Sequence, residues 1–330
     1  MKTGEMGERN FLKTIGHLIA VPEGAKLGFD DDASDVPLSK EQHIIVNVDT
    51  FVGTTDWLPG MTEAQVGRKT AVMALSDIVA KGGSPLAAML SLCVPHDYDV
   101  IATQELIRGF SQYCMKKGIP FLGGDLGASH DVVLTGVAVG IAPPEGIISR
   151  GGAKEGDRIA VTGDFGLTSA AYDILLKGEE AEEAFKRQAI AAAYKPEIPI
   201  GLISALAEKG AVTSSMDSSD GLGITLNTMA SQSSLAFVIE RLPAAEGVIY
   251  FSRNMYMSER RMVFEGGEEF ILVLTIPTEK WNEAVETAEK LHVSLKEIGY
   301  TQAGEGVVFE SSEGYIEVPP NGYDNFLEWE

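Results

Sequence analysis

Acidic residues beside glycine or at the end of an apolar run are the residues of this 330-residue chain most suited to chemistry. The six clusters of this kind are Asp30–Asp32, Asp49-Thr50, Ser76-Asp77, Gly123–Asp125, Asp217–Gly221 and Gly266–Glu269. A single carboxylate beside glycine is an ordinary turn residue, but so many, most of them directly after a predicted strand, need another explanation. Because Mg²⁺ is usually held by a few carboxylates together with substrate phosphates, the pattern predicts an enzyme that gathers several Mg²⁺ ions around a polyphosphate.

The overall composition narrows the choice of partners. The chain has 26 basic and 48 acidic residues, a formal net charge of −22, and 45% hydrophobic residues. This balance argues against a nucleic-acid backbone, which needs a basic face, but not against a nucleotide, because bound Mg²⁺ can invert the local sign of a site. No apolar run reaches the roughly 18 residues of a membrane span, and the N-terminus lacks a secretory signal pattern. With Cys93 and Cys114 in apolar surroundings and expected to be reduced, we expect a cytoplasmic protein.

Apolar runs and glycine signals predict an α+β protein of two domains. In the first half, strands are expected at residues 43–48, 86–94, 119–122 and 132–141, and helices at 62–81 and 100–117. This order indicates helices on one face of a sheet. In the second half, strands are expected at 158–162, 212–216, 236–240, 270–276 and 305–310, with helices between them. Because the segment 143–156 is typical of a linker, we expect domains at residues 1–145 and 146–330.

Asp77 lies near the end of a helix that is apolar on nearly every side. A capping box at Thr62–Gln65 begins this helix, and Gly82-Gly83 end it. At about 100° per residue, Asp77 shares a face with Met73. Burial of a carboxylate is costly without compensation, and a helix C-terminus disfavours negative charge. A cation would resolve both problems; the alternative is an exposed Asp77 or one paired with a lysine.

Asp217-Ser-Ser-Asp-Gly221 is the strongest single motif. Asp217 and Asp220, three residues apart at a predicted strand-to-helix turn, can face one centre, and Ser219 with the free N–H groups of the helix start can hold a phosphate oxygen. The alternative is a helix cap by Ser219 or Asp220, which explains one acid but not both. Arg150 is a candidate phosphate clamp, and Gly124 allows close approach of the backbone to a ligand.

The ordered set of motifs resembles one known family. From the Asp31-Asp32 loop to Gly322–Phe326, the chain is similar to thiamine-monophosphate kinases, whose superfamily includes aminoimidazole ribonucleotide synthetase and selenophosphate synthetase. The motifs between these ends are Asp49-Thr50, Leu75–Asp77, Gly123–Asp125, Arg150–Asp157, Val161–Gly163, Asp217–Leu222 and Gly266–Glu268. The resemblance implies a two-domain fold of the aminoimidazole ribonucleotide synthetase type. Its N-terminal domain would bind ATP and Mg²⁺ and pair with its mate in a homodimer, and its C-terminal α/β sandwich would complete the nucleotide and substrate cleft.

The resemblance also implies a reaction and a set of site residues. ATP, bridged by several Mg²⁺ ions, would transfer its γ-phosphoryl group directly to thiamine monophosphate, giving thiamine diphosphate and ADP. The implied Mg²⁺ ligands are Asp32, Asp49, Asp77, Asp125, Asp217 and Asp220. The implied ATP contacts are Gly124, Asp125, Arg150 and Ser219, and the implied acceptor contacts are Asp56, Glu268 and Tyr323. The expected catalytic residues are Asp77, Asp125, Arg150 and Asp220.

The acceptor side departs from the family pattern, whereas the metal side is retained. Asp56 stands where the family has a substrate-contacting histidine, Leu126 stands in place of a threonine, and Glu269 stands in place of an aspartate. The change to Asp56 places a negative charge near an anionic acceptor unless a metal or a cation such as a thiazolium ring lies between them. Two alternatives therefore stay open: a paralogue that phosphorylates another small molecule, and a non-catalytic regulator that binds Mg·nucleotide.

Overall fold

The computed structural model describes residues 2–312 and 314–327 and contains two β-sheets with helices packed on them. The first half consists of α1 (Thr3–Met6), α2 (Glu8–Ile15), β1 (Ser34–Pro37), β2 (His43–Val52), α3 (Gly53–Asp56), α4 (Glu63–Ala80), β3 (Ser84–Val94), α5 (Val100–Lys116), β4 (Phe121–Ala128) and β5 (Val133–Ala142). The predicted α+β class is confirmed.

The second half is richer in helices. It consists of β6 (Arg158–Val161), α6 (Leu167–Leu176), α7 (Glu183–Tyr194), α8 (Leu202–Ala207), β7 (Ser214–Ser218), α9 (Leu222–Ser233), β8 (Ala236–Ile239), α10 (Val248–Asn254), α11 (Glu259–Phe264), β9 (Ile271–Ile276), α12 (Trp281–Lys290), β10 (Lys296–Gln302), β11 (Val307–Ser311) and β12 (Gly314–Glu317). None of the helices in the described ranges is both long and apolar enough for a bilayer crossing.

The first sheet has five strands in the order β1-β2-β5-β3-β4, and only the β3–β4 pair is parallel. The central strand β5 alternates fully and partly buried residues along its whole length, because successive side chains point to opposite faces. Helix α4 covers one face. The other face carries apolar side chains that are largely exposed in the single chain, such as Val48 (63%), Met89 (41%) and Leu122 (64%). We call this surface the open face.

Helix α4 is the main connection between the two halves. It contacts β2, β3 and β5 of the first sheet as well as β7 and α8 of the second half. The predicted capping box is present, since the Thr62 side chain accepts a hydrogen bond from Gln65 N while the Gln65 side chain accepts one from Thr62 N. Gly82 ends the helix with φ +78, and a Cβ there would lie 2.3 Å from the carbonyl oxygen of Gly146. Only glycine fits this conformation in this space.

The second sheet has seven strands in the order β12-β11-β8-β10-β6-β9-β7. Strand β7 lies at one edge, and all five of its residues are buried. Its last residues, Asp217 and Ser218, are followed by the turn at Ser219-Asp220 and by α9. The predicted strand-to-helix transition at this motif is therefore confirmed. It places Asp217 in the protein interior, beside helix α4.

Three local expectations were wrong. Gly123–Asp125 does not follow a strand but lies inside β4, which continues to Ala128. At Gly124 a Cβ would lie 1.8 Å from Leu90 O in β3, beside an irregularity of that pairing, so the glycine serves close strand packing. Among the helices expected between the strands of the second half, one was expected to cover roughly residues 198–209, but α8 covers only Leu202–Ala207. Strand β10 was missed because Lys296–Gln302 mixes charged, polar and glycine residues without regular alternation.

Candidate active site

Three carboxylates from separate parts of the chain meet between the two halves. Asp32 lies in the loop before β1, Asp77 near the end of α4, and Asp217 in β7. One oxygen of each lies within 4.8 Å of the corresponding oxygens of the other two. Oxygen ligands of one divalent ion have separations of this size, because each lies about 2.0–2.6 Å from the ion. We call these three residues the acidic triad.

The negative charges of the acidic triad repel one another. Burial raises the pKa of Asp77 well above its ordinary value, and the neighbouring charges of Asp217 and Asp32 raise it further. Burial and the charge of Asp32 also raise the pKa of Asp217. Two polar side chains hold these carboxylates in place: Ser76 Oγ donates to Asp217 Oδ2 at 2.6 Å, and Asn47 Nδ2 donates to Asp77 Oδ2 at 2.5 Å. A bound dication would offset the repulsion that these hydrogen bonds leave in place.

Two cations anchor the acidic loop that carries Asp32. Lys81, fully buried at the end of α4, has its Nζ 2.8 Å from Asp31 Oδ1 and 2.6 Å from Asp32 Oδ2. Arg150 pairs with Asp32 and donates from Nη1 to the Asp30 carbonyl at 2.8 Å. Although burial opposes ionisation, the charges of Lys81 and Arg150 hold the pKa of Asp31 below its usual value. Lys81 was not predicted from the sequence, although a lysine directly after a helix that is apolar on nearly every side was a signal.

A second acidic group lies next to the triad. Burial raises the pKa of Asp49 to about 7, and the charges of Asp217 and Asp220 contribute in the same direction. Burial likewise raises the pKa of Asp220 to about 6, against the opposing charge of Arg9. Arg9, in helix α2, donates from Nη2 to Asp220 Oδ2 at 2.6 Å and to the Tyr323 carbonyl at 3.1 Å. Arg9 was not predicted from the sequence as a residue of the site.

A cavity of about 360 Å³ opens beside this second acidic group. Its lining includes the three predicted acceptor residues Asp56, Glu268 and Tyr323, together with Asp49, Ser219 and Asp220. Asp56, the last residue of α3, accepts a hydrogen bond from Val52 N at 2.7 Å. The structure thus joins the predicted acceptor residues and part of the predicted metal set in one space, which we call the acceptor cavity.

Gly124 and Asp125 are not brought to this space within one chain. Residues in register with Asp125 across the sheet are Ser91, Thr135 and Thr50, in that order. Asp125 is therefore three strands from Thr50, a distance of roughly 14 Å at about 4.8 Å per strand. Strand alternation also places Asp49, the neighbour of Thr50, on the opposite face. Asp125 and Asp49 consequently cannot share an ion within one chain.

Two of the residues that depart from the family pattern lie outside the lining of the acceptor cavity. Leu126 is exposed on the edge strand β4, in register with Leu92 and Leu134. Glu269 is buried, and its Oε1 accepts a hydrogen bond from Gly166 N at 2.7 Å at the start of α6. Burial raises the pKa of Glu269 to about 8. Of these three residues that differ from the family pattern, Asp56 is the one that lines the acceptor cavity.

Comparison with known proteins agrees with this geometry. Residues 30–142 match the N-terminal domain of AIR synthase related proteins, and residues 154–311 match their C-terminal domain. A thiamine-monophosphate kinase of Nitrosopumilus maritimus is 35% identical over 304 residues, which cover 91% of this chain and 95% of that protein. The chain belongs to the thiamine-monophosphate kinase family. A family member of Pyrococcus abyssi is 30% identical over 89% of each chain.

Solved structures of this family have the same fold. AaThiL complexed with AMPPCP and TMP matches with a TM-score of 0.84 and 25% identity, over 98% of this chain and 99% of that chain. The thiamine monophosphate kinase of Aquifex aeolicus matches with a TM-score of 0.80 and 26% identity, over 96% and 100% of the two chains. The family resemblance inferred from the motifs is therefore confirmed.

Proposed function

We propose that this chain is an ATP-dependent kinase that phosphorylates thiamine monophosphate to thiamine diphosphate. Its relatives are thiamine-monophosphate kinases, and a structural neighbour binds AMPPCP and TMP. The observation that carries the proposal is the position of the acidic triad Asp32, Asp77 and Asp217 beside a cavity lined by Asp56, Glu268 and Tyr323.

The donor set fits Mg²⁺, because it consists of carboxylate oxygens, which are hard ligands. Asp32, Asp77 and Asp217 would hold one ion. Asp49 and Asp220 would hold another ion closer to the acceptor. When bound, these ions would neutralise charge on the phosphates and stabilise the charge that develops during transfer. The raised pKa values of Asp49, Asp77 and Asp217, which arise from burial and then from neighbouring negative charges, support this role, since a bound cation favours the ionised carboxylates that burial opposes.

ATP contacts are assigned to residues at the edge of the acidic triad. Arg150 reaches Asp32 there, and its planar guanidinium suits a phosphate group. Ser219 lines the acceptor cavity directly before α9, whose first N–H groups face a potential phosphate. Asp77, Asp220 and Arg150 are the proposed catalytic residues of the single chain.

The acceptor is itself the nucleophile in this reaction. A phosphate oxygen of thiamine monophosphate is already anionic at neutral pH, so direct in-line transfer requires no general base. The carboxylates of the site are therefore needed for metal binding and positioning rather than for proton removal. Two cationic side chains of the chain itself, Lys81 and Arg150, hold the loop of Asp30–Asp32 close to Asp77 and Asp217.

The open face supports a homodimer. Val48, Met89 and Leu122 together expose a broad apolar surface, and such surfaces mark protein contacts. Asp125 lies on this face, in register with Ser91 and Thr135, so in a dimer packed there Asp125 would lie at the contact between the subunits. Gly124 and Asp125 would then complete the metal and ATP site in trans. We place the boundary between the domains at residues 145 and 146, since β5 ends at Ala142 and β6 begins the second sheet at Arg158.

Product analysis tests the proposed function. Purified protein is incubated with MgATP and thiamine monophosphate, and the products are separated by chromatography. We expect thiamine diphosphate and ADP in equal amounts, and no product from the Asp217→Asn variant. ATP binding by the unchanged protein without thiamine diphosphate would refute the kinase assignment and favour either a different acceptor or a regulator.

A further inference from the structure

The acceptor cavity is strongly acidic. Its five carboxylates are Glu8, Asp49, Asp56, Asp220 and Glu268, and none of the described residues that line it is a lysine, arginine or histidine. Asp49 and Asp220 belong to the proposed metal-binding end. Asp56 and Glu268 have no assigned metal-binding role and lie near one another, since burial and then the charge of Glu268 raise the pKa of Asp56. An acidic end of this kind needs either a cation from the protein or one from the ligand.

A cation from the protein lies directly behind Glu268. Lys69, in helix α4, is fully buried, and its Nζ is 2.5 Å from Glu268 Oε2. The hydroxyl of Tyr172, in helix α6, donates a hydrogen bond to the same oxygen. Lys69 Nζ also lies 5.9 Å from the centre of the Phe51 ring. A buried lysine without an anionic partner is costly, and the Glu268 carboxylate lies beside Lys69 as such a partner.

The backbone of Glu268 is constrained as well. Its φ of 59 lies in the left-handed region, which is strained for a residue with a side chain. Its amide donates to the Ser219 carbonyl at 2.5 Å, linking it to the turn that carries Asp220. Such strain persists only where surrounding contacts fix the residue. Glu268 is thus held through its backbone by Ser219 and through Oε2 by Lys69 and Tyr172.

We propose that Lys69 and Tyr172 are positioning residues that fix the Glu268 carboxylate through Oε2 and leave Oε1 for the acceptor. The acceptor cavity then has two different ends. Asp49 and Asp220 would hold the metal ions that neutralise the acceptor phosphate, and Glu268 would receive a positively charged or N–H-bearing ring of the same molecule. This inference rests on the proposed function and deepens it, because it names the two residues that hold Glu268 in place for the acceptor.

Two variants and one matched control test this positioning role. Lys69→Met removes the charge at similar side-chain length, and Tyr172→Phe removes only the hydroxyl. The control Lys290→Met makes the same change as Lys69→Met at the exposed end of α12. We expect Lys69→Met to raise the KM for thiamine monophosphate roughly tenfold or more, because a charge-assisted contact is lost. Tyr172→Phe has a smaller effect in the same direction, and in both variants kcat and the KM for ATP stay close to those of the unchanged protein.

A selectivity measurement separates positioning from a merely structural role. Binding of thiamine monophosphate and of an analogue with an uncharged ring in place of thiazolium is measured by calorimetry with Mg·AMPPCP present. The unchanged protein should prefer the cationic ligand, and Lys69→Met should lose most of that preference. This readout requires no turnover, so a failure of the kinase assignment and a failure of the positioning role give different results. An equal preference in both proteins, or an equal rise of both KM values in the kinetic test, would overturn the inference.

A double variant guards against loss of folding. Lys69→Met alone leaves Glu268 without its cation, whereas Lys69→Met combined with Glu268→Gln removes both charges. We expect the double variant to recover the melting temperature of the unchanged protein but not the low KM for thiamine monophosphate. Recovery of the KM together with the melting temperature would mean that Lys69 serves stability alone.

Discussion

Replacement of Asp77 by asparagine should stabilise the metal-free protein while abolishing its response to Mg²⁺. Asparagine has nearly the same shape, and its carbonyl oxygen can still accept the hydrogen bond that Asn47 now donates to Asp77 at 2.5 Å. The change therefore removes one negative charge from the acidic triad with little loss of packing. Asp77 is well suited because its raised pKa arises from burial and from the charges of Asp217 and Asp32.

The size of the effect follows from the separation of the charges. The triad oxygens lie within 4.8 Å of one another, and two unit charges at this distance repel by about 3.5 kcal/mol at an effective dielectric constant of about 20. Asp32 is already paired with Lys81 and Arg150, so only the Asp77–Asp217 repulsion is counted in full. Protonation of one carboxyl relieves part of it. We therefore expect a gain of about 2–3 kcal/mol in the free energy of unfolding near neutral pH.

The sign of the pH dependence follows from the raised pKa values. A carboxyl whose pKa is raised by folding binds its proton more tightly in the native state than in the unfolded state. Its contribution to stability is then present in full below about pH 4 and is lost as pH rises through the raised value. The advantage of Asp77→Asn should accordingly vanish near pH 4 and be largest at neutral and alkaline pH.

Urea unfolding with EDTA and with excess Mg²⁺ measures both effects. The unchanged protein should gain stability with Mg²⁺, because an ion that binds only the native state raises the free energy of unfolding by mass action. Asp77→Asn should not gain. Asp97→Asn, a change of the same charge on an exposed turn after β3, serves as control. The reasoning would be refuted by an Asp77→Asn protein that is less stable in EDTA at neutral pH, or one that keeps the full Mg²⁺ response.

Three further changes test other parts of the structure. Lys81→Met should lower the free energy of unfolding by about 3–5 kcal/mol, measured by urea titration, because Asp31 and Asp32 lose a buried partner. Leu122→Glu on the open face should shift the protein from the proposed dimer to a monomer, measured by light scattering. The melting temperature of the variant should then no longer depend on protein concentration. Glu269→Gln should remove a pH-dependent loss of stability. In the unchanged protein, the free energy of unfolding should fall as pH rises from the pKa of Glu269 in the unfolded chain to about 8, the value to which burial raises it in the folded protein.

The sequence predicted the fold best where hydrophobic periodicity was strong. Strand β2 and helices α4 and α5 lie close to the expected positions because their apolar residues repeat at strand or helix spacing. Strand β10 gave no such signal, since its pairing with β6 and β8 rather than its own pattern determines it. The extent of β4 was likewise set by its parallel pairing with β3, which reaches Ala128.

The candidate site divides in a similar way. Carboxylates such as Asp77 and Asp217 were recognisable because they follow apolar segments where an uncompensated charge is out of place. Lys69 and Lys81 were not recognised, because a helical lysine is ordinarily solvated. Their partners Glu268 and Asp31 lie far away in sequence, so no local pattern reveals the pairs. The available signal was that α4 has no polar face, which leaves its lysines no solvated side to occupy.

Helix α4 explains why both ends of the site come together at a fixed separation. Lys69 supports Glu268 at the acceptor end, and Asp77 belongs to the acidic triad. The two residues are eight positions apart, so they are separated by about 12 Å along the helix axis at 1.5 Å per residue. Because they lie on one rigid helix, this spacing does not depend on loop conformation. Since the acceptor phosphate is assigned to Asp49 and Asp220, the interval between Lys69 and Asp77 fixes the support of Glu268 relative to the acidic triad rather than the length of the acceptor.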